Sequence, residues 1–223
     1  LYEAKFGRRD FFYRLMLLCE RLTFKTADRS IATNESYKQI AIERGGMHPD
    51  KVTVVRSGPK LNRLKIIEPV LALKKGRKHL VGYVGVMGKQ EGIDYLLRAL
   101  HYIVEQKNRT DVHFGLVGGG TELTSLQAYA KALGVEDYVT FTGRVSDQQM
   151  LEMLNTADVC VNPDVANEMN DKSTMNKIME YMALAKPIVQ FDLSEGRFSA
   201  QEASLYARRN DTKDLAEKIL LLL

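Results

Sequence analysis

The chain holds only two cysteines and four histidines in 223 residues, and no apolar run approaches the ~20 residues needed to span a bilayer. Each scarcity excludes something. Cys19 and Cys160 both sit within apolar runs, which predicts reduced core residues of a cytosolic protein; a disulfide between them is the alternative. His48, His79, His101 and His113 are scattered without ligand spacing, so each reads as structural or exposed and no metal site is expected. No Ser-His-Asp or Cys-His grouping is readable, and Ser173 has no base near it in sequence. Charge of one sign is scarce as well: 32 Lys and Arg against 28 Asp and Glu leave +4, compatible with an anionic ligand or surface but no nucleic-acid footprint. Signal peptide, internal repeats and low-complexity segments are missing too.

Hydrophobic residues make up 45% of the chain and are spread throughout, enough for one large domain or one domain plus part of another. The chain begins without methionine and stops in residues 216–223, which read as an unfinished amphipathic helix; a piece of a longer protein is the expectation. From Arg77 onward short apolar runs alternate with helical periods. Strands are expected at 79–85, 112–117, 138–141, 158–161, 187–191 and 204–206, with helices at 93–104, 121–133, 147–155, 173–185 and from Asp211. Repeated β-α units with fully apolar strands predict a doubly wound, Rossmann-like parallel sheet, an α/β domain with ligands at the carboxyl ends of its strands.

The first 60 residues read differently. Asp10 starts a helix with an apolar face of Phe11, Phe12, Leu15, Leu18, Cys19 and Leu22, which predicts domain core more than a membrane anchor. Strands at 30–33 and 52–55 flank a helix at 35–44, too little to close a core alone. This predicts 1–59 as the end of a preceding domain, 60–78 as a basic connector and 79–223 as the ligand-binding domain. Lys74, Lys75, Arg77 and Lys78, with Arg8, Arg9, Arg14 and Arg21, could meet anionic lipid at a peripheral contact; a solvated surface is the simpler reading.

The segment 173–192 is the most informative. Ser173 and Thr174 precede a helical stripe of Met175, Ile178, Met179, Met182 and Ala183, so they are expected to open a helix. The free amides of its first turn, at Ser173, Thr174 and Met175, would form an anion site. Lys177 and Glu180 lie off the stripe and are expected to meet on an exposed edge; an ordinary solvated ion pair is the plain alternative. Glycines at Gly82, Gly85, Gly88 and Gly92 mark the end of the first strand of this domain, where backbone can approach a diphosphate. Their spacing narrowly misses the dinucleotide fingerprint, and tight turns need glycine anyway. Gly118, Gly119 and Gly120 end the next strand where an NAD-binding domain more often carries an acid, which argues against NAD. Arg144 follows Gly143 at a third strand end, where a plain surface arginine is the equal alternative.

In wording, Glu180 with Ala183-Leu184-Ala185-Lys186-Pro187-Ile188-Val189 resembles the donor-binding element of retaining glycosyltransferases of family 4, with Ala185 in place of the usual glycine. The other matches come in the family's order. They are Ala27 to Ser36, Lys51 to Gly58, the loop Gly85 to Gly92, Val117-Gly118-Gly119-Gly120, Phe141-Thr142-Gly143-Arg144-Val145 and Asp158 to Pro163. Departures are Lys172 where the family commonly has a further glutamate, Val86 and Glu91 where it has phosphate-touching Arg and Lys, and Pro59-Lys60 where an Asp usually follows Gly58. Asp171 or Glu168 could stand in for the glutamate, and Lys89 for the displaced charge.

The resemblance implies the GT-B fold, with 79–223 as the donor domain. Its substrate would be a nucleotide-diphosphate sugar, with neither cofactor nor metal, and its acceptor a saccharide or lipid-linked molecule, with polysaccharide assembly in the cytoplasm or at the inner membrane face. It further implies donor contacts at Gly85, Gly88, Lys89, Gly118, Gly119, Arg144, Val145, Ser173, Thr174, Met175, Lys177 and Glu180. Glu180 would hold the ribose and the backbone near Val145 the base, with Asn162 and Asp164 lining the same rim; the catalytic residues stay unassigned. A sugar-nucleotide epimerase of the same fold, or a Rossmann-like module without chemistry, are the alternative readings.

Overall fold

The computed structural model describes residue 7 and residues 9–223. Arg8, part of the basic cluster noted above, lies outside the described residues. Contacts divide the chain into two compact units, one of residues up to 58 with 167–174, the other of residues 59–166 with 175–223.

In the first unit Asp10 caps helix α1 (Phe11–Thr26), its carboxylate accepting the Tyr13 amide at 3.1 Å. Strand β1 (Ser30–Ala32) pairs in parallel with β2 (Val52–Val54), and α2 (Glu35–Glu43) connects them under an Asn34 cap. Ala32, Ala41, Met47 and Val52 form a small core. The α1 face expected as core is exposed among the described residues, Phe11 at 73% and Leu22 at 50%, and Cys19 is exposed with it. Two strands and two helices offer it nothing to pack against. A short helix, α6 (Glu168–Asp171), also belongs to this unit.

The second unit is built on six parallel strands: β3 (His79–Val84), β4 (Val112–Val117), β5 (Val139–Gly143), β6 (Val159–Asn162), β7 (Ile188–Phe191) and β8 (Ser204–Ala207). Their order is β5-β4-β3-β6-β7-β8. This is the doubly wound sheet that the β-α repeats predict. Helices α3 (Ile93–His101, prolonged by a π turn at Tyr102–Gln106), α4 (Leu123–Ala132) and α9 (Thr212–Leu222) cover one face, packing Leu96, Leu100, Leu126, Leu215 and Ile219 onto Val81, Tyr83, Phe114 and Val161. Helices α5 (Asp147–Thr156), α7 (Asn176–Ala183) and α8 (Ser194–Ala200) cover the other. There Leu151, Leu154, Ile178 and Tyr181 meet Leu80, Cys160 and Ile188. The α8 helix is too short for apolar periodicity to signal it.

Residues 60–78, expected as a connector, are tied to α5. Asn155 accepts the Ile67 amide and donates to the Lys65 carbonyl, and Thr156 accepts the Val70 amide. Lys74 donates to both oxygens of Asp158 at 3.0 and 2.9 Å, while Asp158 also accepts the Leu80 amide at 2.8 Å. No helix among the described residues is long and apolar enough to cross a membrane.

Candidate functional site

The sheet order changes direction between β3 and β6, and a crevice opens at the carboxyl ends of such a pair. Here β3 and β6 pair only at Val81–Val159 and Gly82–Cys160. Beyond that, the buried Tyr181 hydroxyl stands between them, accepting the Val84 amide at 3.0 Å and donating to the Val161 carbonyl at 3.2 Å. Helix α7, which carries Tyr181, is thereby fixed against the crevice.

That helix begins later than its hydroxyls suggest. Met175 is the N-cap and supplies no side-chain cap. The buried Asn34 side chain donates to the Lys172 carbonyl at 2.9 Å and to the Thr174 hydroxyl at 3.0 Å, and Ser173 donates to the Met169 carbonyl and bonds the Tyr37 hydroxyl. These bonds take both hydroxyls away from the cap, and the Ser173 amide, expected in the anion site, donates to the Asn170 carbonyl at 3.1 Å. At the helix start the amides of Met175, Asn176 and Lys177 have no acceptor among the described residues. The buried stripe is Ile178, Tyr181 and Leu184, while Met182, expected in it, is 40% exposed.

Lys177 and Glu180 do not meet on an exposed edge. The Lys177 side chain is 12% exposed and donates to Asp164, itself 2% exposed, at 3.0 and 3.3 Å. Its ammonium stands 4.9 Å from the Tyr83 ring centroid. Burial pushes the Asp164 carboxyl up, opposed by the Lys177 charge. Glu180 is half-buried, and its carboxylate has no hydrogen bond or ion pair among the described residues. Burial raises its carboxyl too, with Arg63 and Lys177 opposing. Arg63, which sequence reasoning passed over inside a basic segment, is exposed and bidentate to Asp147 at 3.0 and 2.5 Å.

The glycine loops are locked to one another. Gly118 has φ +131°, and a Cβ there would lie 1.8 Å from the Gly85 carbonyl oxygen. Gly85 donates to Val117, Gly118 to Gly143, and Met87 to Gly119, each at 3.0 Å. The Gly88 amide donates to Glu91 at 3.1 Å. Three of the glycine amides expected at a diphosphate, those of Gly85, Gly88 and Gly118, are therefore engaged, whereas that of Gly119 has no acceptor among the described residues. Beside Gly119 runs the exposed Arg144, whose Cγ would meet a Cβ on that glycine at 3.6 Å. Lys89 is exposed, and Val145 is half-buried against the second sheet face. The buried side-chain amides of Asn162 and Gln190, neighbours across β6 and β7, have no hydrogen-bond partner among the described residues. In the first unit Lys172, at the position of the family's further glutamate, pairs with Glu168 at 2.7 Å.

Residues 78–223 match the profile of the family described as Glycosyl transferases group 1. Mannosylfructose-phosphate synthase of Agrobacterium fabrum is 23% identical over 163 residues, covering 68% of this chain and 36% of that protein. Among solved structures, Anabaena HepE in complex with UDP-glucose shares the fold with a TM-score of 0.75 at 20% identity, covering 92% of this chain and 56% of that one. WaaG, a glycosyltransferase involved in lipopolysaccharide biosynthesis, does so with a TM-score of 0.74 at 18% identity, covering 100% and 63%. The chain spans less than two thirds of the length of each.

Proposed function

This chain belongs to the group 1 glycosyl transferases, and on that premise we propose that residues 79–223 bind the nucleotide-diphosphate sugar of a retaining, metal-independent GT-B enzyme. The observation that carries the reading is Glu180: a half-buried carboxylate left without a partner, one turn along α7 from the open amides of Asn176 and Lys177. A structural carboxylate at that depth would be hydrogen-bonded. An open one suits a ribose diol, with the diphosphate at the helix start.

Transfer breaks the bond between the anomeric carbon and the diphosphate oxygen and forms one to an acceptor hydroxyl, whose proton passes to the departing diphosphate. Positive charge builds on the sugar and negative charge on the leaving group, so preorganised donors near the phosphates lower the barrier. The helix terminus contributes about 0.3–1 kcal/mol, rising to ~2 where partly buried. A diphosphate therefore also needs Lys177, Lys89 or Arg144, and the Gly119 amide. The acceptor is a saccharide or lipid-linked molecule. The nucleotide-diphosphate sugar is the substrate and the nucleoside diphosphate a product, with no separate cofactor. Glu180→Ala should weaken UDP, GDP or ADP binding by about tenfold or more in calorimetry, the loss of one charge-assisted hydrogen-bonded contact. Unchanged affinity in a folded variant contradicts the reading.

A further inference from the structure

Two charges buried together are costly unless they have a task or excellent geometry, because each must leave water. Asp164 and Lys177 are such a pair, 13 residues apart, one following β6 and the other in the first turn of α7. The path of the lysine is also prepared. A Cβ on Gly85 would lie 3.5 Å from Lys177 Cε and 2.5 Å from the Tyr83 hydroxyl, so the absent side chain leaves room for both. The Tyr83 hydroxyl donates to the Val86 carbonyl at 2.8 Å, which fixes the ring under the ammonium. Four separate features (a glycine, a ring, a carboxylate and a helix start) converge on one ammonium.

We propose that Asp164 is a positioning residue, which holds the Lys177 ammonium aimed across the crevice at the diphosphate of the donor. This rests on the donor reading above and goes beyond it by naming the residue that sets the lysine's direction. Magnitudes favour positioning over mere neutralisation. An ammonium about 3 Å from a phosphate gains about twice what a carboxylate about 6 Å away loses. A free lysine would in addition lose rotamer entropy on binding. The charged and titratable groups around Lys177 are Asp164 after β6, Tyr83 on β3, Glu180 on its own helix, and Glu91, which acts on Tyr83 from the loop after β3. Among the described residues, Asp164 alone hydrogen-bonds the ammonium.

The test compares the parent chain, Asp164→Asn, Lys177→Met and the double variant, by calorimetry with UDP at about pH 7.5, above the second phosphate ionisation near 6. Asp164→Asn should weaken UDP at least fivefold in the parent and less than twofold in the Lys177→Met background, because a positioning carboxylate acts only through the lysine. An equal loss in both backgrounds overturns the inference, while Glu180→Ala still reports on the donor reading. If the parent does not bind UDP, the donor reading suffers, and competitive acetylation of the ligand-free chain decides the inference. Lys177 should label at least tenfold more slowly than Lys89 in the parent, and it alone should accelerate in Asp164→Asn. Equal labelling of the two lysines in the parent, or acceleration of Lys186 alongside Lys177, overturns it; the latter outcome covers a variant that fails to fold.

Discussion

The two rims of the six-stranded sheet treat polar groups in opposite ways. Near the amino ends of the strands, Asp158 holds Lys74 and the Leu80 amide, Asn155 and Thr156 hold residues 65–70, and Lys186 donates to the Ala157 carbonyl at 3.0 Å. Near the carboxyl ends, Asn162 and Gln190 are buried without hydrogen bonds, Glu180 stands without an ion pair, and the amides of Gly119, Asn176 and Lys177 are open, all among the described residues. Satisfied polar groups stabilise the fold, and open ones lower its stability in exchange for a place to bind. The same sheet therefore has a structural rim and an open rim, and substitutions should separate them.

At neutral pH the largest effect is expected on the structural rim. Asp158→Ala leaves Lys74, 16% exposed, without its carboxylate and the Leu80 amide without its acceptor. Urea unfolding should show a loss of about 2–3 kcal/mol. Nucleotide affinity should persist while the chain is folded, and a selective loss of binding would break the contrast between the rims.

A second effect is set by pH. His113, early in β4, is 2% exposed and bonds the Thr140 hydroxyl at 2.8 Å. Burial, aided by Arg77 and Lys75, lowers its pKa to about 4 from an ordinary 6.5. Between those values the unfolded chain binds the proton and the folded chain does not, so stability falls as pH drops from 6.5 towards 4. The loss at the acid end is on the order of 3 kcal/mol. His113→Leu should remove this part of the slope in urea titrations at a series of pH values. An unchanged slope would show that the imidazole already carries its proton in the fold.

The smallest effect lies in the turn after α7. Ala185 has φ +54°, a conformation that favours glycine, and glycine is the residue the family usually places there. Ala185→Gly should raise stability by about 1 kcal/mol, read as a higher urea midpoint with an unchanged slope. A fall would mean that lost unfolded-state restriction outweighs the relieved strain.

That turn was legible because its requirement is local, and so were the strands, their β-α alternation and the helix start at Asp10. What escaped depended on distant partners. Asn34 reaches Thr174 across 140 positions, so no local pattern could show that the hydroxyls were already committed. Lys177 finds Asp164 rather than Glu180, three positions away, because burial decides and spacing does not. The Cys19 run read as core because apolar periodicity registers a face without registering whether anything covers it. At the candidate site, Glu180 and Lys177 were singled out from wording and spacing. The mutual locking of the glycine loops was not, since close approach between two backbones leaves the same glycine signature as close approach to a phosphate.

The central claim is that the carboxyl rim was left open for a nucleoside diphosphate at particular amides. A titration of the nitrogen-15-labelled chain with UDP, GDP or ADP, followed by amide chemical shifts, tests it most directly. The open amides of Gly119, Asn176 and Lys177 should shift most, and those of Gly85, Gly88 and Gly118, already bonded within the protein, least. The reverse order, or shifts confined to the amino rim around Asn155 and Lys186, would contradict the account.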